Sequence, residues 1–156
     1  MPVAMTVPTT RPTEEELRLL EQELGERLPN GYRAFLVRFN GGRPEPNWFP
    51  MQGELGIGGI DLFFGVRSAG DWDDLLTAKR RLLRRMPSHM LPIADAECGN
   101  FVCLSLGASD HGSVYYWDHE LEADEGEEPT YANLSEIADS FASFWEAIRE
   151  GDPPGL

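Results

Sequence analysis

Apolar residues recur along the chain with two periods, and the change from one to the other marks out its elements. Leu17, Leu20 and Leu24 share one helical face behind Thr13, whose spacing from Glu16 is that of a capping box, and Gly25 closes the run. Tyr32, Phe35, Leu36 and Phe39 follow at i, i+3, i+4 and i+7 and predict a second amphipathic helix. Asn40-Gly41-Gly42 stops it, because asparagine and glycine accept the left-handed conformation common at helix ends. Between Arg43 and Gly59, prolines and glycines break the chain into short edge strands and turns, with Trp48-Phe49 the one strong apolar pair. Ile60 to Val66, mostly apolar and rich in β-formers, predicts a strand. A third helix is expected from an Asp71 cap through Trp72, Leu75, Leu76, Leu82, Leu83 and Met86 to Pro87. Strands are expected at Met90 to Ala94, Phe101 to Leu106 and Ser113 to Asp118, on short loops that favour antiparallel neighbours. A last helix is read from a Ser135 cap through Ile137, Phe141, Phe144, Trp145 and Ile148 to Gly151.

These elements add up to one α+β domain over residues 13–150, an antiparallel-rich mixed sheet flanked by N-terminal, middle and C-terminal helices. The aromatic-rich helices are expected to cover one sheet face. Residues 1–12, with prolines and threonines and no periodicity, are expected as a flexible leader, and residues 151–156 as a flexible tail. A chain of 156 residues is large enough to bury a core without disulfides.

Charge sharpens the functional question. Asp and Glu outnumber Lys and Arg by 27 to 13, a net charge of −14, which repels nucleic acid and anionic lipid and attracts a basic partner. Solubility alone is an equally good account of that acidity. Lys79, Arg80, Arg81, Arg84 and Arg85 concentrate positive charge, and they read as a solvated helix face paired with carboxylates rather than as a phosphate site. Cys98 and Cys103 fit neither a redox motif nor a zinc knuckle. The N-terminal residues lack a signal-peptide pattern and no run reaches membrane-spanning length, so a cytoplasmic location is expected.

Several phrases, in order, carry a family resemblance from about Thr13 to Ile148. They are Glu21-Gln22-Glu23-Leu24-Gly25 with Leu28-Pro29, Tyr32 to Phe35-Leu36, Asn40-Gly41-Gly42, and Leu91-Pro92-Ile93-Ala94. Gly99-Asn100-Phe101-Val102-Cys103-Leu104, Gly112-Ser113-Val114-Tyr115-Tyr116-Trp117-Asp118-His119-Glu120 and Ser140-Phe141 to Phe144 follow. Together they resemble a SUKH-superfamily domain of the Smi/Knr type. The resemblance implies a SUKH-like α+β fold and, in bacteria, an immunity protein that neutralises a polymorphic toxin, often a nuclease, by binding it. In fungi it implies a regulator of cell-wall synthesis, so an intracellular adaptor that binds a host protein is the alternative. The Gly/Pro-rich middle, Gly53 to Gly59, and a long acidic insert depart from the pattern and leave the partner open.

Catalysis finds little to work with. His89, His111 and His119 fall in no metalloprotease motif or nucleophile elbow. Asp118-His119-Glu120 has the residue types for a base or a metal site, but neighbours on a strand point to opposite faces. Gly53 to Gly59 lacks the Lys-Ser/Thr of a phosphate loop. We therefore expect a non-enzyme with no cofactor and no metal. Its partner is expected to be a basic protein toxin, bound through Asp118, Glu120, Glu122, Asp124, Glu125, Glu127 and Glu128, with Trp48 as an apolar anchor.

Overall fold

In the computed structural model, which describes residues 4–6, 10–51 and 56–148, the first two helical periodicities become α1 (Glu14–Leu24) and α2 (Asn30–Arg38). Thr13 Oγ1 accepts the Glu16 N–H at 3.1 Å while Glu16 Oε1 accepts the Thr13 N–H at 3.1 Å. The box satisfies two groups that the helix start and its cap would otherwise leave to solvent. Asn40, Gly41 and Gly42 all take positive φ, at 54°, 87° and 114°. Buried Asn40 fixes that turn: its Nδ2 donates to Thr10 O at 3.0 Å and Val66 O at 3.2 Å, and its Oδ1 accepts the Val66 N–H at 2.8 Å.

Structure begins before Thr13. Within the segment expected as a leader, β1 (Ala4–Thr6) pairs antiparallel with β2 (Arg43–Glu45) as a two-stranded ribbon. The other strands are β3 (Trp48–Pro50), β4 (Ile57–Phe63), β5 (Met90–Ala96), β6 (Phe101–Ser105), β7 (Val114–Trp117) and β8 (Leu134–Ala138). They form one sheet in chain order, antiparallel at every pairing. The sheet curls until the Phe49 ring on β3 lies 6.2 Å from that of Tyr116 on β7.

Two helix expectations need correction. The third helix, α3 (Leu75–Arg81), starts at Asp74 rather than Asp71 and stops well before Pro87. Asp74 is buried and has the donors to hold: Oδ2 accepts the Thr77 N–H at 3.1 Å and its hydroxyl at 3.0 Å, and Oδ1 accepts the Arg67 N–H at 2.9 Å. Trp72 and Leu83 consequently lie outside the helix and are exposed, and Arg84 turns the chain at φ 72°. The last helix, α4 (Phe141–Ala147), is capped by Ser140, whose Oγ accepts the Ser143 N–H at 3.1 Å. Ser135 and Ile137 belong instead to β8, where backbone pairing with β7 outweighs a helical apolar spacing.

The main core lies between one sheet face and α1, α2 and α4, with Leu75 and Ala78 of α3 also in it. Phe35 is its hub, with the rings of Tyr32, Phe39, Phe63, Phe141 and Trp145 at centroid distances of 4.9–6.0 Å. Alternation sends Cys103, Tyr115 and Trp117 to the other face, where they bury against Leu82, Met86 and Met90. The chain that leaves α3 therefore covers part of the sheet face that the sequence pattern left open.

Candidate functional site in an acidic cleft

The connection from β7 to β8 is tied at its base. Asp118 Oδ1 accepts the Glu120 N–H at 3.0 Å and sets up a single helical turn, His119–Leu121. The Asp118 N–H donates to Asn133 O at 3.0 Å, and Asn133 Nδ2 donates to Asp118 O at 2.9 Å. The loop so closed faces residues 83–89 across a cleft of about 1230 Å³. Glu120, Glu122, Asp124, Glu125, Glu127 and Glu128 line it on one side, Arg84 and Arg85 on the other. Arg85 spans the two walls: Nε and Nη2 donate to Glu122 at 3.1 and 2.9 Å, with the guanidinium 5.3 Å from the Trp117 ring centroid. A forked ion pair stacked on an aromatic face is a stronger tether than an ordinary surface pair.

His119 lines the same cleft. Asn100 Oδ1 accepts both the His119 backbone N–H at 3.0 Å and His119 Nδ1 at 2.7 Å, so Nδ1 carries the ring proton. Asn100 Nδ2 donates to the Tyr116 hydroxyl at 2.7 Å, which fixes the amide orientation.

One cluster has no counterpart in the sequence reading. Asp110 accepts from Ser105 Oγ at 2.5 Å on Oδ1, and from the hydroxyls of Tyr115 at 2.7 Å and Tyr131 at 2.8 Å on Oδ2. The Tyr131 hydroxyl hydrogen is directed at Asp110, so His89 Nε2–H is the donor to Tyr131 Oη, at 2.5 Å. Burial alone would raise the Asp110 pKa, but the three hydroxyl donors, with His89 nearby, hold it below the ordinary carboxylate value. Burial and the Asp110 charge push Tyr131 up to about 12. The cluster fastens the outgoing end of the acidic loop to the β6–β7 connection.

The expected site residues do not all converge. Glu120, Glu122, Asp124, Glu125, Glu127 and Glu128 share the cleft, whereas Asp118 spends its carboxylate on the loop backbone. His119 and Glu120 face the cleft without Asp118, so the three side chains do not assemble as one catalytic or metal-binding set. Trp48 lies on β3, at the opposite end of the strand order from β8, half-buried with its indole N–H buried and unpaired among the described residues. Three of the five clustered cations bind protein groups. Lys79 Nζ donates to Ser88 O at 2.8 Å and Met90 O at 2.9 Å, Arg81 to Trp72 O at 3.2 Å, and Arg85 to Glu122. Of the glycine-rich stretch, Gly53 lies outside the described residues, and Gly58 and Gly59 belong to β4. Among the described residues, no group of three or more His, Cys, Asp or Glu is placed to hold a metal ion, and no helix is long and apolar enough to cross a membrane.

Fold and cleft together define an α+β domain whose helices pack on a curled antiparallel sheet and whose acidic loop is braced beside it. The chain belongs to the SMI1 / KNR4 family (SUKH-1), whose model matches residues 11–147. It is 29% identical over 126 residues to the SPbeta prophage-derived protein YokK of Bacillus subtilis (strain 168), covering 70% of this chain and 63% of that protein's length. A crystal structure of a protein from Pseudomonas syringae pv. tomato shares the fold, with a TM-score of 0.52, 18% identity and 78% of each chain covered.

Proposed function

We propose that the protein is an immunity protein, acting in the cytoplasm, that binds a cognate toxin of a polymorphic toxin system and neutralises it without chemistry of its own. Family membership over residues 11–147 carries this reading. Charge supports it: a net −14, with six carboxylates along one cleft, complements the basic groove in which a nuclease-type toxin holds phosphates. The separate uses of Asp118 and His119, one on the loop backbone and one on Asn100, favour a surface that binds over a site that reacts. The relative carried on a prophage fits a gene that travels with its target.

Co-expression with the toxins encoded beside the gene tests the proposal. Restored growth, together with a stable complex on co-purification, is the expected result. Failure to bind every neighbouring toxin candidate, with recovery of one specific host protein from toxin-free cells, replaces this reading with that of a regulatory adaptor.

A further inference from the structure

Where the chain leaving α3 folds over the sheet, it gathers sulfur. Of the two cysteines and five methionines in the sequence, Cys103, Met86 and Met90 meet in one buried patch with Leu82, Tyr115 and Trp117. Cys103 Sγ lies 3.8 Å from Met86 Sδ, across 17 residues of sequence, so spacing along the chain gives no sign of the pair. We infer that this patch binds one soft, monovalent metal ion of the copper(I) type through the sulfurs of Cys103, Met86 and Met90.

The donor set and its spacing carry the inference. Thiolate and thioether sulfurs are soft ligands that select copper(I) over hard cations. With metal–sulfur bonds of about 2.3 Å, two sulfurs 3.8 Å apart subtend roughly 110° at a shared ion, an angle that leaves room for a third donor. Met90, fully buried in the same patch, is that donor.

A second observation owes nothing to the sulfurs. Trp117 is fully buried diagonally across from Cys103 on the same sheet face, and its indole N–H has no partner among the described residues. An orphaned donor in a patch of thiol and thioether groups costs free energy, and a metal-bound thiolate gives the patch an acceptor with lone pairs to spare.

The methionine segment is also held in place. Arg85, just before Met86, forks onto Glu122, and Lys79 Nζ donates to Ser88 O and Met90 O beyond it. Donors fixed in this way lose little freedom when they close on an ion. Binding exchanges a proton for the metal: the Cys103 S–H bond breaks, the proton leaves to water, and the sulfur keeps the electron pair that bonds the ion. The methionine sulfurs contribute lone pairs, and nothing is oxidised or reduced.

The test is anaerobic titration of the full chain carrying Cys98→Ser, which removes the exposed thiol, with copper(I) against a chromophoric copper(I) chelator. About one ion per chain is expected, together with a rise in the thermal midpoint, because an ion bound to the folded protein stabilises it. M86L and M90L conserve volume and should fold. Each is expected to weaken binding about tenfold or more, and C103S to abolish it. Absence of binding, or binding that both methionine variants leave within about twofold of the parent, would overturn the inference and leave the patch as core packing. Should C103S not fold, the methionine variants decide alone. No toxin takes part, so this result is independent of the immunity reading.

Discussion

Phe35 packs against five rings drawn from α2 and its C-cap, β4 and α4, and a side chain with so many partners from different elements cannot be shortened without leaving a void. Phe35→Ala is expected to lower the free energy of unfolding by about 3–5 kcal/mol, read from urea denaturation. Asp110 makes a different kind of prediction. Its folded-state pKa lies below the ordinary value, so its stabilisation is complete above the usual carboxylate range and is lost as pH falls through the depressed value. Asp110→Asn should therefore weaken the fold by about 1–3 kcal/mol near neutrality and by much less in acid. Urea midpoints measured at both pH values check this, and a difference that stays constant with pH would contradict the assignment. The carboxylates of the acidic loop were legible in the sequence because a run of like charge cannot bury itself. The Asp110 cluster was not: Tyr131 lies 21 residues from Asp110 and 42 from His89, and only the fold brings them together.

Among the elements, the start of α1 was legible locally, whereas the Ser140 cap of α4 was not. Thr13 and Glu16 satisfy one another within a single turn, so the start of α1 needs no knowledge of the rest of the molecule. Asp71, Asp73 and Asp74 all have the chemistry of a cap, and the choice among them rests on the Arg67 backbone N–H, which folding delivers to Asp74, while Asp73 receives only the Arg67 side chain. Strand β8 was hidden for a similar reason, since Ile137 and Phe141 keep helical spacing while the hydrogen bonds that decide the matter belong to β7. The two caps should differ in weight accordingly. Thr13→Ala is expected to cost about 1 kcal/mol, and Asp74→Ala about 2–3 kcal/mol, because it also strands the Arg67 N–H of a second segment. Thermal unfolding of the two variants side by side measures the difference, and equal shifts would show that Asp74 does no more than cap.

For the molecule as a whole, acidity acts at a distance. If the partner is basic, the association rate should fall steeply as salt is raised while dissociation changes little, since screening removes long-range attraction before it loosens contacts. Stopped-flow mixing with the purified partner across a salt series measures this, and a salt-independent association rate would remove charge as the guide to encounter. The buried patch behind the sheet offers an experiment that needs no partner. Cys103 is walled in with its sulfur 3.8 Å from that of Met86, and burial drives its thiol pKa upward, whereas Cys98 stands in solvent. A thiol-specific dye should therefore label the protein in two phases, at once on Cys98 and then only as fast as the flap carrying Met86 and Arg85 lifts. That slow phase is a built-in clock for breathing of one wall of the cleft, and anything lodged there should slow it down.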